Sequence, residues 1–198
     1  MIRIILLLCA LSAGVALANA PSQALAQQGK KAPSTAPVRP SSIDELFERL
    51  QRAKTEEEAK GIADAIQRRW MRSGSDTADL LMDRALDALK AGDQPLSVEL
   101  LDRVVTLQPG WAEGWNKRAT VFFMMGDNTR SMADLRETLA REPRHFGALA
   151  GLGMILRTNG DDKRAYDAFK RALAINPHMA EVKSAVERLA PDYEGRDI

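Results

Sequence analysis

The sequence predicts an all-α repeat solenoid, and three observations predict it. Gly92-Asp93, Gly126-Asp127 and Gly160-Asp161 recur every 34 residues. Pro109, Pro143 and Pro177 each follow their Gly by 17 residues. Small and apolar residues recur between these marks at spacings that share one helix face. A fixed period over three units is the mark of stacked supersecondary units.

Take Ala78, Ala112 and Phe146 as position 1 of each unit. Position 8 is then Ala85, Ala119 and Gly153, and position 20 is Ser97, Ser131 and Ala165. Small residues there let two helix backbones approach. Larger residues at positions 4, 11 and 24 fill the surrounding space; Trp115 and Phe122 are expected in the core of the second unit. Gly at position 15 suits a left-handed helix C-terminus. The Asp after it can accept from the first free N–H groups of the next helix. Pro95 sits where a helix start tolerates it. Pro at position 32 stops the second helix.

This pattern resembles the tetratricopeptide repeat (TPR): helix, tight turn, helix. It is strongest in Trp115, Ala119, Phe122, Gly126 and Pro143, then Leu149, Leu152, Gly153, Leu156, Gly160, Ala165, Phe169, Ala172 and Pro177. Ala88 departs from it where an aromatic is usual. Arg84 and Arg118 depart from it where Leu is usual, and are expected to snorkel to water. The resemblance implies a right-handed helical solenoid, with repeats at 78–111, 112–145 and 146–179.

Upstream, Arg3 and the apolar run Ile4 to Leu17 read as a signal peptide, too short to span a membrane. Cleavage is expected after Ala26 rather than Ala20, so the leader is 1–26 and no membrane span follows it. Cys9 lies too early for a lipoprotein box and follows Leu8, where a small residue is needed. Residues 27–42 carry Pro33, Pro37 and Pro40 among polar residues and read as a disordered linker. Residues 43–76 read as a helical hairpin, a divergent repeat capping the array. Ser42 and Glu45 form a capping box, Thr55 precedes Glu56, Glu57 and Glu58, and Asp76 or Ser75 opens the next helix. Residues 180–190 read as a capping helix with a polar outer side that includes Glu181 and Arg188, stopped by Pro191. Residues 191–198 are the tail.

The sequence excludes several chemistries. Cys9 is the single cysteine, so the mature chain has no thiol for catalysis, metal binding or a disulfide. Export without disulfides fits a bacterial periplasm. Basic and acidic residues number 28 and 27, and loss of Arg3 with the leader leaves 27 of each; no basic excess points to nucleic acid. His145 and His178 follow Pro143 and Pro177 as solvated turn residues, too far apart for a helical metal pair. Gly147, Gly151 and Gly153 lie within a helix and not in a nucleotide loop. No cofactor, metal site or catalytic constellation is expected.

The remaining candidate is a groove. The resemblance implies that positions 2, 5, 9, 12 and 13 line a concave, peptide-holding face. Of the fifteen residues at these positions, the candidate site is Met82, Leu86, Glu113, Asn116, Thr120, Phe123, Met124, Ala150, Met154 and Arg157. The methionines suit an adaptable surface, and Asn116 could clamp a peptide backbone. The layout also resembles small exported TPR proteins of alphaproteobacteria linked to the cell envelope. The expectation is a non-catalytic periplasmic adaptor that binds an envelope protein or peptide segment. The alternative is a subunit of an envelope assembly or transport machine, bound through its convex face or its hairpin.

Overall fold

The structure, a computed structural model, describes residues 42–193. The leader, all of the linker except Ser42, and residues 194–198 of the tail lie outside the described residues. All the elements described are helices: α1 (Ile43–Arg52), α2 (Glu56–Trp70), α3 (Asp76–Lys90), α4 (Gln94–Leu107), α5 (Ala112–Met124), α6 (Asn128–Arg141), α7 (Phe146–Thr158), α8 (Asp162–Ile175) and α9 (Ala180–Tyr193).

The junction inside each pair α3–α4, α5–α6 and α7–α8 is the same. Gly92, Gly126 and Gly160 take φ of 82°, 77° and 76°, which a Cβ would oppose. The following Asp N–H then reaches back to the carbonyl of Ala88, Phe122 or Leu156, satisfying an orphan acceptor at the helix end. Its side chain accepts from the N–H of Leu96, Arg130 or Arg164. One Gly-Asp dipeptide therefore closes one helix and opens the next. Ser42 and Glu45 form the expected capping box, Thr55 caps α2, and Ser75 rather than Asp76 caps α3.

Within pairs, the small positions meet as the spacing predicts. A Cβ on Gly153 would lie 2.5 Å from the Phe169 ring. Ser131 Oγ donates to the Ala119 carbonyl at 2.8 Å. Between pairs, α4 packs on α5, α6 on α7 and α8 on α9. The buried apolar residues form successive clusters along this stack, as expected where each unit touches its neighbours.

Other expectations need correction. The hairpin α1–α2 does not sit as one more unit at the head of the stack. It lies against the turns that join successive pairs. The Trp70 carbonyl accepts from Trp111 Nε1 at 2.6 Å, and its ring stacks on His145 at 4.1 Å. At the other end, Gln51 bonds the Ala174 carbonyl and His178 the Ala53 carbonyl. The apolar face of the hairpin takes Phe146 into its cluster, with Ile175 and Met179 alongside. Neither histidine is therefore a solvated turn residue, because the hairpin covers the turns in which they stand.

Trp115 is only half-buried. It donates to the Pro109 carbonyl and has the Arg118 and Arg141 guanidinium groups 5.0 and 4.9 Å from its ring centre, whereas Phe122 is buried as expected. Arg118 does not snorkel: it is held by Asp134 at 2.7 and 2.8 Å and by Asp102 at 2.8 Å. Arg84, by contrast, is exposed. Pro191 does not stop α9, which runs on to Tyr193. A proline there removes one N–H near an exposed helix end, and the Tyr193 ring packs 5.7 Å from Tyr166.

Candidate functional site

The ten groove residues divide into three groups. Met82, Glu113 and Ala150 are buried, and Met82 and Glu113 are packing residues and not an open lining. Met82, 1% exposed, is enclosed by a cluster that includes Trp111 and Val121 from the next unit. Leu86 and Asn116 are half-buried, and Leu86 packs on that same cluster. Thr120, Phe123, Met124, Met154 and Arg157 are exposed. Three of these, Phe123 and Met124 on α5 and Met154 on α7, are large apolar side chains, with Met154 48% exposed.

Glu113 is the main correction. It belongs to a buried polar cluster that joins α5, α7 and the hairpin. Its carboxylate takes His145 Nε2 at 2.8 Å, Lys117 Nζ at 2.9 Å and Asn116 Nδ2 at 3.2 Å. His145 Nδ1 accepts the Ala148 N–H at 3.0 Å, which places the ring proton on Nε2 facing Glu113. Burial alone would raise the Glu113 pKa. The hydrogen bond from His145 and the charge of Lys117 outweigh it and hold the carboxyl below its ordinary range. Asn116, expected to grip a peptide, spends its amide on Glu113. Thr120 bonds the Asn116 carbonyl in its own helix. Sequence spacing could not show this cluster, because Glu113 and His145 stand 32 residues apart in different units.

The exposed part of the lining continues into a cleft of about 490 Å³. Ala150, Met154 and Arg157 of α7 form one wall, and Phe169 of α8 contributes to the floor. Met179, Ala180, Glu181, Val182, Ala185 and Arg188 form the other wall, on and just before α9. The apolar face of α9 was legible in Val182 and Ala185. Arg188, assigned from sequence to the outer side, stands instead at the rim of the cleft.

Among the described residues no group of three His, Cys, Asp or Glu could hold a metal ion. No described helix is long and apolar enough to cross a membrane.

Comparison with known proteins fits this architecture. A family model described as tetratricopeptide repeat matches residues 116–180. A TPR repeat-containing protein of Rhizobium etli is 39% identical over 153 residues, which is 77% of this chain and 75% of that protein. Among solved structures, the first TPR of Spaghetti bound to an HSP90 peptide superposes with a TM-score of 0.57 at 15% identity, over 60% of this chain and 94% of that one. MamA superposes with a TM-score of 0.55 at 17% identity, over 69% of this chain and 82% of that one. The Sgt2 TPR domain of Aspergillus fumigatus superposes with a TM-score of 0.56 at 16% identity, over 61% of this chain and 81% of that one. The repeat spacing, the paired helices and these likenesses agree: the chain belongs to the tetratricopeptide repeat proteins, whose fold is a scaffold for protein–protein interaction.

Proposed function

We propose that this protein is a non-catalytic, exported adaptor that holds a peptide segment of an envelope protein on the face formed by α3, α5 and α7. The observation that carries the reading is the row of exposed Phe123, Met124 and Met154 on α5 and α7. Large apolar side chains left in water on the first helices of two successive units mark an interaction surface. The Spaghetti relative, which holds a peptide on the same fold, supports a peptide as the occupant. Export to the periplasm rests on the leader at residues 1–26 and on the absence of cysteine from the mature chain. The envelope role rests on the resemblance to exported alphaproteobacterial TPR proteins.

The rival reading, attachment through the hairpin, has less surface available, because the apolar face of α1–α2 is occupied by the solenoid. Photoreactive residues at Phe123 and Met154, in the native cell, test the adaptor reading. Adducts with an envelope protein are expected from both positions. Adducts obtained only from Leu107, exposed at the end of α4, would overturn it.

A further inference from the structure

We propose that the cleft between α7 and α9 is the charge-selective end of this surface, receiving an apolar side chain of a peptide flanked by carboxylates. The proposal rests on the peptide-binding reading above and assigns the class of peptide. Between the rims the lining is apolar and made of buried residues: Ala150, Phe169, Val182 and Ala185. The alanines leave the room that larger residues would fill, and Met154 and Met179 border it with flexible, polarisable side chains. About 490 Å³ accommodates one or two side chains and not a folded partner. An apolar pocket with few polar groups at its edge is the usual form of a specific ligand site.

The edge supplies the selectivity. Arg157 on α7 and Arg188 on α9 stand on opposite walls, both exposed. Neither is paired with a carboxylate among the described residues, unlike Arg118 and Arg144 elsewhere on the chain. Glu181 also lines the cleft, in the first turn of α9 where a helix start favours an acid. Arg157 likewise suits the last turn of α7. The two guanidinium groups still outnumber the one carboxylate. A peptide carboxylate would form charge-assisted bonds with them, while a basic peptide would meet like charge. The cleft opens onto the exposed first-helix residues Met154 and Arg157, so an extended chain can leave it along α7.

Three fluorescein-labelled decapeptides, titrated by anisotropy against the full chain, test this. One places Leu between Asp residues, one replaces each Asp by Lys, and one replaces each Leu by Ser. The Leu/Asp peptide is expected to bind roughly tenfold or more tightly than the others, with affinity that falls as salt rises. Arg157→Glu with Arg188→Glu should remove most of that affinity. Both sites are exposed, and a circular dichroism spectrum matching wild type is the check that the variant folds. Met154→Glu, on the same rim, should act in the same direction. Equal binding of the Lys peptide overturns the proposal, as does displacement of the Leu/Asp peptide by dodecanoate at equal concentration. Binding that survives the Arg double variant but is lost in Phe123→Glu overturns it while leaving the peptide reading intact. No binding by any of the three peptides overturns both.

Discussion

Gly153 shows how a single residue fixes the distance between two helices. The Phe169 ring occupies the space where a Cβ would stand. The ring is held by its own burial, so it cannot swing aside as a flexible chain end would. Gly153→Ala is expected to destabilise by about 1–3 kcal/mol through overpacking, read as a lower urea midpoint. An unchanged midpoint would mean that the α7–α8 contact is looser than drawn. Phe122→Ala should cost about 3–5 kcal/mol, as for other buried rings. Trp115→Ala should cost less, because one side of the indole meets guanidinium groups and water rather than the core. Glu113 carries a pH signature. Its folded pKa lies below its ordinary value of 4.5, so the folded state releases that proton more readily than the unfolded chain. Its contribution is fully present above the ordinary carboxylate range and is lost as pH falls through the folded value. Glu113→Gln should lose about 1–3 kcal/mol at neutral pH. The gap from wild type should close in acid, measured as urea midpoints across a pH series. A gap independent of pH would show that the carboxylate is not the source.

At the scale of the element, Arg118 joins three helices. It leaves α5, takes both oxygens of Asp134 on α6 and reaches Asp102 on α4. Asp134 is buried, so removing Arg118 leaves a carboxylate with no counter-charge. The hydrogen bonds that Arg118 donates to the Asp134 carboxylate hold its guanidinium pKa above the ordinary value. Arg118→Met should cost about 2–4 kcal/mol, somewhat below a fully buried pair because the guanidinium is partly wet. Adding Asp134→Leu should recover much of that loss, since a neutral apolar pair needs no partner. A double variant no more stable than the single one would show that Asp134 has other partners. The Gly-Asp junctions, the caps and the small-residue contacts were legible in the sequence because each is a local rule repeated at a fixed spacing. Arg118 was visible only as a departure from the repeat pattern. Its partners lie 16 residues away in either direction, and no local rule places them together. The groove positions came from the family resemblance rather than from a local rule, and five of the ten residues are exposed. The burial of Met82, Glu113 and Ala150 was not legible, because it depends on what the next unit and the hairpin bring against them.

At the scale of the whole molecule, the hairpin changes how the solenoid should unfold. A stack of repeats that touch only their neighbours behaves as a chain of weakly coupled units, in which a defect spreads outward and the ends fray. Here α1–α2 lies along the turns ahead of α5, α7 and α9, and so joins units that do not otherwise meet. Trp70 stacks on His145 and accepts from Trp111, Arg144 bridges to Asp44 at 2.6 Å, and Gln51 and His178 tie the far end. The farthest of these contacts link residues 123 and 125 apart, so they form only when the end of the stack is in place. Trp70→Ala tests the consequence. It removes the ring from a buried cluster and should cost about 3–5 kcal/mol. Hydrogen exchange followed by mass spectrometry then separates two outcomes. If the hairpin couples the units, amides in α8 and in the first turns of α5, α7 and α9 lose protection together with α1 and α2. The α3–α4 pair should change less, because its cluster draws only Met71 from the hairpin side. If protection falls in α1 and α2 alone, the hairpin is a passive cover, and the solenoid holds its order through neighbour contacts by themselves.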